Sequence, residues 1–429
     1  MGQKLLFTMA LLYAALVFSC TTTAFSAGEA QRIPEDYFGI APYNGQRLDE
    51  RDYAMLDDLG VVWMRRTFRW SGMEPESGRW NFEDYDAYVA GAKMAGKKVL
   101  AILAYDPGWL YENGREYYIG PDKLPQYLAF VEQVVRHYQG QIDAYEIWNE
   151  PNGIFWKGPR KDFFALTKAA AAKIREVDSS AVIVGGSVWR ADGGFTRGLF
   201  RSGAMKQADI ISFHPYAITP HGSIRLYDRF VRIVRAQGFS GAIWVTEVGF
   251  PTAGWYPTRV SADNYPAYIV KTLAGLAVRG NPVSFWYELF DRYTPGEQPS
   301  KRNSENYFGI AYPDYSYKKG AAAYRLCAHL LAGKTYRPEL PERTNLPAAV
   351  EALYFQGDDA QNALLLWTEG RPRRVKVSLP GTGQRLYDIA AGMYEAIGED
   401  LPLVIDRTPR IFTWTASDTN TPATVVSLR

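Results

Sequence analysis

The chain has 429 residues, of which 47% are hydrophobic and 22% charged, enough for one large folded core and a smaller companion. Its 48 basic and 46 acidic side chains leave a formal charge of +2, which gives no grounds for a nucleic-acid or other polyanionic partner. Aromatic residues make up 14% of the chain, with 12 Trp and 29 Tyr; aromatics build cores, and Trp and Tyr in excess also suit a surface that stacks on flat apolar faces.

Lys4, the apolar run Leu5–Phe18 and the small residues after it read as an export signal over residues 1–26, too short for a comfortable membrane span. Val17-Phe18-Ser19-Cys20 resembles a bacterial lipoprotein signal, with Cys20 carrying a lipid anchor; cleavage near Ala24 or Ser26 is the other reading. Cys327 is the only other cysteine, so the exported chain depends on its core and not on a disulfide framework.

Beyond the signal the chain alternates. Strand-like runs lie at Phe38–Ala41, Val61–Arg66, Val99–Tyr105, Ala144–Trp148, Val182–Ser187, Ile210–His214, Ile243–Thr246 and Val283–Leu289. Helix-like runs lie between and after them at Leu48–Leu59, Tyr85–Ala95, Leu124–Tyr138, Phe163–Val177, Phe195–Lys206, Leu226–Ala236, Tyr265–Arg279 and Lys319–Leu331, several of them stopped by Gly. Alternation of this kind predicts a parallel sheet with helices outside it, and eight units over residues 33–333 fit a (β/α)8 barrel, the TIM barrel, better than an open sheet. After Gly333 comes a Pro-rich link, and then short alternating runs at Val350–Phe355, Ala363–Trp367, Arg374–Leu379, Arg385–Ile389 and Ile411–Thr415. These predict a small β-sandwich over residues 334–429 that covers one side of the barrel.

Two strand ends carry carboxylates. Trp148-Asn149-Glu150-Pro151 closes the fourth strand and Thr246-Glu247 the seventh. Pro151 has no N–H with which to continue pairing, and barrel chemistry gathers at the carboxyl ends of the strands. Two such glutamates supply an acid–base group and a nucleophile. Strand alternation lets only one of Arg65 and Arg66 face inward. Metal and nucleotide signatures are missing from the sequence: the four histidines form no HExxH, there is no zinc spacing and no GxSxG, and GAKMAGKK lacks the Ser/Thr of a phosphate loop. No cofactor is expected.

The WNEP run, Glu247 on the seventh strand, Arg65 within Gly60–Trp70 (GVVWMRRTFRW), His-Pro-Tyr after the sixth strand and the trailing β-domain together resemble clan A of the retaining glycoside hydrolases, and most nearly family 39. That family includes β-xylosidases, α-iduronidases and exopolysaccharide hydrolases of the Psl type. The resemblance implies Glu150 as general acid/base and Glu247 as nucleophile. It favours Arg65 as the partner of Glu247, and Asn149 as a donor to the sugar's 2-hydroxyl. It also puts His214 and Tyr216 at the sugar site, although His214 reads equally as a satisfied core histidine. Trp286 would floor the sugar, with Tyr287 taking its place if the strand register shifts by one. Trp109 reads as a subsite candidate or as packing under a loop, and Glu288 and Asp291 as solvated carboxylates at the rim or as polar contacts to a substrate. A carbohydrate is the expected partner and a bacterial exopolysaccharide the expected substrate, with an exo-acting β-xylosidase-like enzyme or a non-catalytic carbohydrate-binding protein as alternatives.

Overall fold

The computed structural model describes residues 29–42, 48–114, 116–254, 259–294, 296–297, 299–300, 302–339, 349–416 and 423–427; the predicted export signal and Cys20 lie outside them. Eight strands close a parallel barrel in chain order: β1 (Phe38–Ala41), β2 (Trp63–Arg69), β3 (Lys98–Ala104), β4 (Ala144–Ile147), β5 (Ile183–Trp189), β6 (Ile210–His214), β7 (Ala242–Val248) and β8 (Ser284–Tyr287). β1 pairs with both β2 and β8, which completes the ring. The predicted (β/α)8 architecture is the observed one.

Inside the barrel, near the amino ends of the strands, Trp63, Leu100, Ala144, Val184, Ile210, Trp244 and Phe285 form an apolar plug. Trp63 and Trp244 meet edge to face at 5.0 Å. Phe285 fits because residue 39 on β1 is glycine: a Cβ there would come within 2.8 Å of the ring. The plug fills the floor, so polar side chains in the next layer up face only the open, carboxyl end of the barrel.

Helix positions follow the local sequence. Asp49 accepts from the backbone N–H of Arg51 and Asp52, and Asp52 returns a bond to the Asp49 N–H, so Glu50–Asp58 starts with a capping box. The helix predicted from Leu226 starts earlier, at Pro220. Its polar first turn hides the apolar period, but Thr219 caps it and Pro220 tolerates the first helical position. No helix among the described residues is long and apolar enough to cross a membrane.

The C-terminal region is built from a seven-stranded and a three-stranded antiparallel sheet. Along Val350–Gln356, the side chains of Ala352 and Tyr354 join the core between the sheets, while Leu353 and Phe355 turn to the barrel's own core. Along Gln361–Thr368, Leu364 and Leu366 take the first face, and Ala363, Leu365 and Trp367 the second. Burial on both faces is why these strands read as nearly unbroken apolar runs. The large sheet also takes up Gln31–Arg32, which pairs antiparallel with Thr335–Arg337, so the chain before the barrel is tied to the chain after it. Asp400–Ile405 is a strand that the sequence reading misses because it contains Pro402; it lies at a sheet edge, where a missing N–H costs no pairing.

Candidate active site

Alternation along β2 puts Trp63 in the plug and Arg65 one layer above it, while Arg66 turns outward between the rings of Tyr85 and Tyr88. Arg65 is 2% exposed and uses its guanidinium as a three-way fork. Nε donates to Glu146 Oε2 at 2.6 Å, Nη1 to Glu247 Oε1 at 2.5 Å and Nη2 to Asn149 Oδ1 at 2.9 Å. Glu146, on β4 above Ala144, is fully buried. Its other oxygen accepts the hydroxyls of Ser212 at 2.6 Å and Thr246 at 2.9 Å. A buried carboxylate tolerates its desolvation only with such a complement of donors.

β4 ends at Ile147, one residue before the predicted end, and the next turn is unusual. Trp148 (φ 66°) and Glu150 (φ 44°) both hold left-handed backbone conformations, as does Ser187 (φ 45°) beside them. Non-glycine residues in that region carry strain, and they cluster at functional sites. The turn is held by Glu150 N–H donating to Ser187 O at 3.0 Å and by Asn152, whose side chain bonds both the N–H and the carbonyl of Trp189. Trp148 points away into the core and donates to Phe155 O; it anchors the turn, and Glu150 faces the barrel mouth.

β6 supplies His214 and, after it, Tyr216. His214 Nδ1 lies 2.7 Å from Glu150 Oε1 and its Nε2 lies 3.1 Å from Thr246 Oγ1. The Tyr216 hydroxyl donates to Glu247 Oε2 at 2.9 Å. Thr246 and Glu247, adjacent on β7, both reach the interior because the β7–β8 register breaks between Val245 and Val248. Glu150, His214 and Glu247 offer polar atoms that all lie within 4.8 Å of one another; they are the trio among the described residues that could converge on a cation.

The two carboxyl groups are placed in different surroundings. Burial raises Glu150 above the ordinary glutamate range, opposed by its contact with His214 and helped by the charge of Glu247. Burial also works to raise Glu247, but His214, Arg65 and the hydrogen bonds from Arg65 and Tyr216 together outweigh it, and Glu247 titrates below the ordinary range.

Among the sequence-predicted site residues, Arg65, Asn149, Glu150, His214, Tyr216 and Glu247 are therefore brought together. Trp286 is not. It is buried in the layer between barrel and helices, donating to the Tyr265 hydroxyl at 3.2 Å and packing against Phe250. Phe285 points into the barrel, so Tyr287 is the β8 side chain on the site's face, 6.3 Å from the Tyr216 ring. Its hydroxyl contacts Arg292 and Glu305. Glu288 and Asp291 differ from the expectation of solvated carboxylates: both are buried. Arg292 clamps Glu288 with two nitrogens, and burial pushes that carboxyl up to about 8. Lys318 donates to Asp291 at 2.6 Å, and burial pushes that carboxyl up to about 6. Trp109 packs edge to face on Trp70 and donates to Glu74 O, which is the packing role of its two readings. Glu146, Ser212 and Thr246 are the site residues that the sequence reading missed. A charged residue at an inward position of a buried strand was the available signal for Glu146.

Over residues 38–275 the chain matches the cellulase family, glycosyl hydrolase family 5. The chain belongs to this family. Membership in family 5 puts it in clan A, as the motifs imply. This family 5 chain is also similar to curated xylanases. It is 28% identical over 159 residues to endo-1,4-beta-xylanase 3 of Hypocrea jecorina, covering 34% of this chain and 44% of that protein. With endo-1,4-beta-xylanase A of Phanerodontia chrysosporium the identity is 27% over 122 residues, covering 27% of this chain and 29% of the relative. The matches thus span less than half the length of these relatives. In fold, the chain is similar to a family 39 glycoside hydrolase from Bacteroides cellulosilyticus WH2, with a TM-score of 0.72, 21% identity, and coverage of 89% of this chain and 81% of that one. A monomeric beta-xylosidase from Caulobacter crescentus CB15 gives a TM-score of 0.65 at 16% identity, covering 93% of this chain and 99% of that one.

Proposed function

We propose that the protein is a retaining glycoside hydrolase in which Glu150 is the general acid/base and Glu247 the nucleophile. The observation that carries this reading is the pair of carboxyl groups at the ends of β4 and β7, with oxygens within 4.8 Å of each other. Retaining enzymes hold their two carboxyls about 5–5.5 Å apart, whereas inverting enzymes leave about 6.5–9.5 Å for a water. The opposed titration of the two groups supports the same assignment, since the acid must keep its proton while the nucleophile stays ionised.

In the first step an oxygen of Glu247 attacks the anomeric carbon. Glu150 gives its proton to the departing glycosidic oxygen, and a glycosyl ester forms on Glu247. In the second step Glu150, now a carboxylate, takes a proton from water as that water attacks the same carbon, and Glu247 leaves as carboxylate. Arg65 and Tyr216 stabilise the charge that returns to Glu247. Asn149, held at its oxygen by Arg65, has its amide nitrogen to offer the 2-hydroxyl.

The substrate is a polysaccharide. The predicted export signal, with Cys20 as a lipid attachment point, and the Trp and Tyr content favour a bacterial exopolysaccharide. The relatives named as xylanases and the beta-xylosidase of similar fold favour a second reading, a β-linked xylan or its xylosides. The test is mass-spectrometric product analysis on exopolysaccharides, xylans, β-glucans and aryl glycosides, with Glu150→Gln and Glu247→Gln in parallel. Oligosaccharides that disappear with both substitutions establish the hydrolase and name the linkage; monosaccharides alone indicate exo action. If the wild-type protein binds a polymer but its products match those of Glu150→Gln and Glu247→Gln, it is a binding protein.

A further inference from the structure

The buried polar network behind the two glutamates has a direction. Glu146 holds one oxygen against Arg65 Nε at 2.6 Å and uses the other to accept from Ser212 and Thr246. With a guanidinium bound to it, this carboxylate is an acceptor only. The Thr246 hydroxyl proton is therefore committed to Glu146, and Thr246 Oγ1 can only receive at its other contact. That contact is His214 Nε2, at 3.1 Å. Ser187 Oγ is a second, longer contact of Nε2 at 3.4 Å, and its hydrogen can go instead to Asn149 Oδ1 at 3.5 Å. The nearer Thr246 oxygen therefore decides that Nε2 carries a hydrogen, and on a neutral imidazole the other nitrogen, Nδ1, is left with a lone pair. Nδ1 faces Glu150 Oε1 at 2.7 Å.

Resting on the reading of Glu150 as the acid, we propose that Glu146, acting through Thr246, fixes His214 in the Nε2–H tautomer and so keeps the catalytic proton in the Glu150–His214 bond. The pair then shares one mobile proton, either on Glu150 Oε1 beside a neutral ring or on Nδ1 beside a carboxylate. Nε2 keeps its own hydrogen in both cases. Thr246 is a positioning residue: its hydroxyl bonds Glu146 and His214, and it sets which side of the ring the acid meets.

The other groups facing this pair come from the surrounding strands. Glu247 Oε2 lies 3.6 Å from Nδ1, and Arg65 lies behind Glu247. Tyr105, Tyr216 and Tyr287 are buried beside the two glutamates with their hydroxyls kept protonated by burial. Glu305 reaches toward both glutamates from the loop after β8. Arg65 is fixed in charge, and the tyrosines stay neutral across the working range.

The test is Thr246→Val, which keeps the shape and removes the hydroxyl, with Thr246→Ser as the conservative variant. The protein has four histidines, so the ring ¹⁵N signals of histidine-labelled full-length protein can be assigned with His214→Gln. In wild type and Thr246→Ser, the neutral His214 ring should show a protonated Nε2 and a bare Nδ1. In Thr246→Val the ring is released to take the Nδ1–H form, which donates to Glu150 and favours its carboxylate. Hydrolysis should then depend on the leaving group. For phenyl glycosides, whose departure needs the proton, kcat/KM should fall by about tenfold or more. For 2,4-dinitrophenyl glycosides it should stay within about threefold, and Thr246→Ser should recover the phenyl glycoside rate. Thr246→Val with the wild-type ring signature, or with equal losses on both leaving groups, would overturn the proposal. The ring signature reads the tautomer without turnover, so wild type that hydrolyses no glycoside would sink the hydrolase reading while leaving the tautomer question answered.

Discussion

Arg65→Lys tests whether the guanidinium fork, and not positive charge alone, prepares Glu247. The substitution keeps the charge at a fully desolvated position. One ammonium cannot occupy three donor sites that lie 2.6, 2.5 and 2.9 Å from Glu146, Glu247 and Asn149. Glu146 retains Ser212 and Thr246, and Glu247 retains Tyr216 at 2.9 Å; the losses that reach the reaction are the Nη2 bond that orients Asn149 and, acting directly on the nucleophile, the Nη1 bond to Glu247, which sets the estimate. A hydrogen bond to a charged group contributes about 1.5–3 kcal/mol, and about 1.4 kcal/mol is a tenfold rate change. The expected fall in kcat/KM is therefore about tenfold to 150-fold. Its cause has a second signature. Glu247 loses a group that lowers it, while burial still acts to raise it, so the acidic limb of the kcat/KM profile moves to higher pH. Steady-state rates on an aryl glycoside across pH, with circular dichroism to confirm folding, measure both. A folded Arg65→Lys enzyme with rates within threefold of wild type and an unmoved acidic limb would refute the reasoning.

The wild-type kcat/KM profile should be a bell. Activity appears as pH rises through the lowered titration of Glu247 and is lost as pH rises through the raised titration of Glu150. Tyr216→Phe removes one donor to Glu247 and should cut kcat/KM by about tenfold, shift the acidic limb upward and leave the alkaline limb in place. Trp286→Phe should cost about 1–3 kcal/mol in a urea unfolding curve with KM unchanged, whereas Tyr287→Ala should raise KM, because only the second side chain faces the site. Gly39→Ala puts a methyl 2.8 Å from the Phe285 ring and should destabilise the barrel by about 1–3 kcal/mol, read as a lower urea midpoint.

The barrel was legible because its strands are short apolar runs separated by amphipathic helices, a rhythm that survives errors of a few residues at each end. Glu150 and Glu247 were legible because a carboxylate within two residues of a strand-breaking proline or glycine has little use in packing. What remained hidden depended on which face a side chain takes. Phe285, Trp286 and Tyr287 are three consecutive aromatics; composition gives no parity, and the plug formed by Phe285 and Gly39 is what turns Tyr287 inward. On β7, ideal alternation would admit only one of Thr246 and Glu247, and the register break that admits both leaves no mark in the sequence. Glu146 lies two residues before the WNEP run; its charge on a buried strand is the one trace it leaves in the sequence, and its role shows only where Arg65, Ser212 and Thr246 converge on it. Glu288 and Asp291 look like solvated rim groups because their partners, Arg292 and Lys318, come from a long loop and from the residue just before the helix that follows it.

The central claim is a covalent double displacement on Glu247, and trapping its intermediate tests that claim most directly. Glu150→Gln with a panel of 2,4-dinitrophenyl glycosides can form the glycosyl-enzyme without acid assistance but lacks the base that removes it. Intact-mass measurement of the quenched reaction should show one added glycosyl group. Peptide mapping should place it on Glu247, and azide should release it as a glycosyl azide of retained configuration. Release of 2,4-dinitrophenol with no adduct and with inverted product, or an adduct on any other residue, would contradict the account.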